Sequence, residues 1–92
     1  MHAVKKLDET TFEVVVQGKT ATTHVVTVLP AYAEKLIGKE IPVERLVSGS
    51  FDFLLEREPN TSILARFDLP VIARYFPEYE RVIRAMLTAA KA

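Results

Sequence analysis

The chain has 92 residues, 49% of them hydrophobic, with 12 basic and 12 acidic side chains and no cysteine. A chain of that length makes one domain whose core is small against its surface. The zero net charge weighs against nucleic acid or an anionic membrane as the dominant partner and favours self-association, and the absence of cysteine excludes disulfides, thiol chemistry and cysteine-based zinc sites.

Residues 1–10 (MHAVKKLDET) are polar and are expected to fray. No apolar run follows their lysines, and nowhere in the chain do apolar residues reach the roughly 18 that a membrane span needs. A cytoplasmic protein is the expectation. Residues 12–17 (FEVVVQ) and 21–29 (ATTHVVTVL) are rich in Val and Thr and read as two strands. Gly18 and Lys19 suit a two-residue hairpin turn between them. That register sets Val14 opposite Thr23 and Phe12 opposite Val25. The core face then carries Phe12, Val14, Val16, Ala21, Thr23, Val25, Thr27 and Leu29. The other face shows an apolar streak of Val15, Val26 and Val28 among Thr11, Glu13, Thr22 and His24. A lone ribbon is marginal in water, so helices must wrap it or a second copy must pair with it.

Pro30 opens and Gly38 ends a short helix, the usual asymmetry of the two residues. The next helix, residues 43–57 (VERLVSGSFDFLLER), begins after Pro42. Its Val43, Leu46, Val47, Phe51, Phe53, Leu54 and Leu55 fill an arc of roughly 200°, twice the ~100° stripe of a surface helix. Such a helix must be covered from more than one side. Arg45, Ser48, Gly49, Asp52 and Glu56 form its narrow wet strip. Ser50, inside the apolar arc, marks with Gly49 a place where another element packs closely. Pro59 stops this helix. Asn60 or Thr61 caps a short turn carrying Ile63 and Leu64, and Asp68 is the candidate N-cap of a helix through Phe76. Pro77 breaks the chain before a last helix over residues 78–90. Tyr79, Val82, Ile83, Met86, Leu87 and Ala90 make its apolar stripe, and Glu80 with Arg84 an i,i+4 pair opposite.

Chemistry is sparse. His24 and Glu13 are the one acid–base pair the hairpin offers, and a cross-strand His–Glu contact is ordinarily a surface pair. His2 and His24 alone make no metal site. Asp52 with Glu56, and Glu78 with Glu80, read as solvated faces rather than carboxylate pairs in a cleft. Gly18-Lys19-Thr20 lacks the upstream glycine and following helix of a phosphate loop. Arg66, Arg74, Arg81 and Arg84 interleave with Phe67, Tyr75, Phe76 and Tyr79; core-facing aromatics with peripheral arginines account for the pattern, and a protein-binding surface, where these residue types are favoured, is the alternative.

Residues 22–58 resemble the ribbon-helix-helix DNA-binding family. The features are the strand HVVTV, the Leu29-Pro30 junction, a helix with Leu36, the turn at Gly38, and a second helix with Glu44, Leu46, Val47, Phe51 and Leu54. In that family strands of two chains pair and enter the DNA major groove. The resemblance implies Lys19, Thr23, His24 and Thr27 as DNA-facing residues here. The C-terminal half is also similar to small uncharacterised bacterial proteins, which implies no activity.

Together these readings give a single α+β domain over residues 1–92. An N-terminal antiparallel β-hairpin is followed by a short helix, a buried central helix and two C-terminal helices. The expected role is a non-enzymatic protein-interaction module, a homodimer without cofactor or membrane attachment, with a ribbon-helix-helix DNA-binding regulator as the alternative. Its expected interface residues are Val15, Val26, Val28, Tyr75, Phe76 and Tyr79.

Overall fold

Three strands form an antiparallel meander: β1 (His2–Lys6), β2 (Thr11–Val16) and β3 (Thr22–Thr27). The computed structural model describes residues 2–89, so the expected helix end at Ala90 lies outside the described residues. Two helices follow the meander, α1 (Pro30–Ile37) and α2 (Val43–Leu55), then a 3₁₀ turn over Asn60–Ser62. The chain returns to the sheet as β4 (Arg66–Asp68), parallel to β3, and closes with α3 (Val71–Tyr75) and α4 (Tyr79–Ala89). The sheet order is β1-β2-β3-β4, and the architecture is α+β as the sequence predicts.

The sheet is wider than a hairpin, for two local reasons. Residues 2–6 do not fray; they pair with β2 along their length. Their lysines conceal an alternation in which His2 and Val4 are half-buried and Ala3 and Lys5 are exposed. Asp8 makes the turn, its carboxylate accepting the Thr10 N–H at 2.9 Å. That amide, with the Thr11 hydroxyl, holds the Asp8 carboxyl below the usual carboxylate range. At the other edge, Asp68 caps no helix and instead ends β4.

The β2–β3 register differs from the expected one by a single residue: Val14 faces His24 and Phe12 faces Val26. A slip of one turns every side chain of a strand to the opposite face. Val26 and Val28 therefore enter the core with His24, while Thr23, Val25 and Thr27 move to the outer face. The cause is the connection. No tight turn forms at Gly18 and Lys19; residues 17–21 make a wider loop held by Asn60, whose Nδ2 donates to the Thr20 carbonyl and the Thr22 hydroxyl, each at 2.8 Å. A Cβ on Gly18 would lie 3.2 Å from Asn60 Oδ1, so glycine leaves room for this clasp.

The central helix is covered from both sides, as its wide apolar arc requires. On its sheet side Phe51, fully buried, meets the rings of His24 at 5.3 Å and Phe67 at 6.2 Å between centroids. On its other side α4 packs at Gly49 and Ser50. A Cβ on Gly49 would lie 3.1 Å from Ile83 Cδ1 and 3.3 Å from Leu87 Cδ2, so Gly49 belongs to this contact and not to the wet strip. Ser50 donates to the Leu46 carbonyl at 2.6 Å, which leaves the Tyr79 hydroxyl to donate to Ser50 Oγ, also at 2.6 Å. Burial raises the Tyr79 phenol above its ordinary 10.0. Glu80 and Arg84 both reach α1: Glu80 accepts from the Tyr32 hydroxyl at 2.8 Å and Arg84 Nε donates to the Leu36 carbonyl at 3.0 Å. Gly38, at φ 81°, then turns the chain out of α1 through the left-handed region where glycine is unstrained.

Candidate functional site

The C-terminal end of α2, the 3₁₀ turn, β4 and α3 enclose a groove of about 230 Å³. Its floor is core: Leu54, Ile63, Phe67 and Ile72 are all buried. Its rim is not. Leu64 is 49% exposed and Tyr75 68%, with Val71 and Phe76 half-buried beside them. Pro59 and Asn60 set the rim's height. Pro59 ends the continuation of α2, the Asn60 side chain clasps the turn to the β2–β3 loop, and the Leu64 carbonyl accepts from His24 Nδ1 at 2.7 Å. Opposite, Pro70 sits just before the first residue of α3, which is only long enough to present Tyr75 and then stop at Phe76.

Glu58 and Ser62 are the polar members of the lining. Glu58 is half-buried, and among the described residues its carboxylate makes no hydrogen bond or ion pair. Neighbouring Arg57 points elsewhere, stacking 3.6 Å above the Phe53 ring and bonding the Phe53 carbonyl and Glu78. The groove is thus an apolar receptacle with one free negative charge. Among the described residues Ser62 and Glu58 make no hydrogen bond to each other, so the groove holds no assembled nucleophile–base pair.

Of the sequence-predicted interface residues, Tyr75 and Phe76 line this groove. Tyr79 does not; it is fully buried between α2 and α4. Val26 and Val28 are core residues because of the register, so they offer no surface. Val15 stays half-buried on the outer face of the sheet, which no helix among the described residues covers, level with Ala3 and Thr23. The four residues that the ribbon-helix-helix resemblance implies are divided. Lys19 is exposed in the loop, Thr23 and Thr27 lie on the outer sheet face, and His24 is 2% exposed. The strand that the family would pair across two chains is bonded on both edges within this one, to β2 and to β4.

Among the described residues His24 meets no carboxylate. Its Nδ1 faces a carbonyl, which only accepts, so Nδ1 carries the proton; Nε2 lies 2.8 Å from the Thr22 hydroxyl. The ring ties β3 to the groove rim. His2, Ser48 and Asp52 do come together, with Nε2 of His2 at 3.1 Å from Ser48 Oγ and 3.6 Å from Asp52 Oδ1. A catalytic triad uses the two ring nitrogens for separate partners; here both partners crowd one nitrogen. The same nitrogen also faces the Ser48 carbonyl at 3.0 Å. The depression beside them, between α2 and α4, has exposed Arg45 and Asp52 on its walls.

No protein-family model, curated protein or solved structure matches the chain. Sequence reasoning did not find Glu58, Leu64, Phe67 or Ile72 as parts of one site. One signal was present: Phe67 and Leu69 alternate with Arg66, Asp68 and Pro70, the period of a strand rather than of a helix start.

Proposed function

We propose that the chain is a small non-enzymatic protein-interaction module whose working surface is the groove between α2 and α3. The observation that carries this reading is a buried apolar floor beneath two large side chains, Leu64 and Tyr75, left 49% and 68% exposed. Covering such side chains stabilises a complex by about 1.5–3 kcal/mol each before ordering costs. The test is a selection of displayed random peptides on the immobilised chain. Enriched peptides should share a large apolar residue and lose binding to a Leu64→Asp variant that still folds. Enriched peptides indifferent to Leu64→Asp and Tyr75→Ala would contradict the reading.

Homodimerisation is a second reading, and the uncovered sheet face favours it. Val15 and Val25 are half-buried there with no helix among the described residues above them. At about 4.8 Å between strands and 3.3 Å per residue the face spans on the order of 300 Å², against about 800 Å² per partner in a standard interface. Such a dimer is weak. Light scattering should give the single-chain mass of 10.3 kDa at micromolar concentration and a rise toward twice that at millimolar; a constant mass would remove this reading. No observation of comparable weight favours DNA.

A further inference from the structure

The groove lies at an edge of the sheet, and that edge is open. In the β3–β4 ladder, Val25 N–H donates to the Ala65 carbonyl and Leu69 N–H to the Thr27 carbonyl, with Val26 level with Phe67. In a parallel ladder of this phase Phe67 turns its N–H and C=O toward β3, and Arg66 and Asp68 turn theirs away. Among the described residues those outward groups of Arg66 and Asp68 bond nothing. Exposed edges are commonly guarded by lysines. β1, at the far edge, has exposed Lys5 and Lys6, whereas β4 has exposed side chains of opposite sign, Arg66 and Asp68, which repel neither charge.

We infer that the open edge of β4 and the groove together take an extended polypeptide segment as a fifth strand, with a large apolar side chain in the groove and a basic residue two positions along facing Glu58. The inference rests on the reading of the groove as a protein-binding surface. Strand addition supplies main-chain bonds, while pockets for alternate side chains supply selectivity. A strand beside β4 turns every second side chain to the face that Phe67 occupies, and the groove is on that face. Side chains at i and i+2 stand about 7 Å apart, so one segment presents an apolar group and a cation to the same groove. Glu58 selects the cation because it is the formal charge in an otherwise neutral lining and has no partner among the described residues. β4 is only three residues long, so the main-chain bonds are few and the groove must supply much of the affinity.

The experiment uses the whole chain, labelled for amide NMR, and blocked threonine hexapeptides carrying Leu, Phe or Ile with Lys two positions later. At least one should shift the amides of Arg66 and Asp68 together with those of Leu64 and Tyr75, and slow solvent exchange at the two edge amides at least about tenfold. Changing its Lys to Glu should weaken binding at least about tenfold in the wild type and less than about twofold in Glu58→Gln. N-methylation of the peptide amides that face β4 should abolish binding. Shifts confined to Leu64, Tyr75 and their neighbours, with Arg66 and Asp68 exchanging as before, would overturn strand addition and leave the groove reading standing. Equal binding of the Lys and Glu peptides would overturn the role of Glu58. Concentration-dependent shifts of the edge amides without peptide would overturn the separate segment in favour of a second copy. No shift at millimolar peptide would overturn the inference, and the peptide selection then decides separately whether the groove reading falls too.

Discussion

Phe51 joins the layers of the molecule: it sits on α2, is fully buried, and packs with tilted rings against His24 of β3 and Phe67 of β4. Phe51→Ala should therefore cost about 3–5 kcal/mol, read from urea denaturation; a loss near zero would mean that the sheet and α2 do not meet there. Gly49 faces the tips of Ile83 and Leu87 at 3.1 and 3.3 Å from where a Cβ would stand. Gly49→Val should cost about 1–3 kcal/mol by pushing α4 away, and an unchanged denaturation midpoint would contradict the close packing. Tyr79 and Tyr32 titrate above their ordinary 10.0, chiefly because burial penalises the phenolate. The folded state then holds these protons more tightly than the unfolded chain does. Their contribution is fully present below pH 10 and lost as pH rises above it. The melting temperature should fall above about pH 10 in wild type and fall less steeply in Tyr79→Phe; equal slopes would place the cause elsewhere.

At the scale of elements, the helices were legible in the sequence and the sheet was legible only in part. Pro30, Gly38 and Pro42 stand within one residue of where α1 and α2 start and stop, Pro59 lies four residues past the end of α2, and the wide arc of α2 announced its two coverings. The sheet depended on contacts distant in sequence. Asn60 sets the β2–β3 register from 40 residues away from Thr20, and no local turn signal carries that information. β4 exists because Phe67 and Leu69 find β3 and the core, which outweighs the capping propensity of Asp68. β1 was hidden by its lysines. Deleting residues 1–6 should destabilise the chain by about 3 kcal/mol or more, since it uncovers one side of β2 and part of α2. An unchanged melt would mean that β1 contributes nothing to the fold.

At the scale of the whole molecule, the zero net charge gives no long-range attraction to a strongly charged partner. No helix among the described residues is long and apolar enough to cross a membrane. The groove was half legible: Tyr75 and Phe76 stood out as interface residues, but the floor from Leu54 to Ile72 needed the return of β4 to the sheet, which the sequence reading did not contain. The measurement that bears most directly on the account is a calorimetric titration of a selected peptide into wild type and into Leu64→Asp, with both melts recorded. The account predicts at least about tenfold weaker binding to the variant with its fold retained. Equal affinity for the two proteins would contradict it.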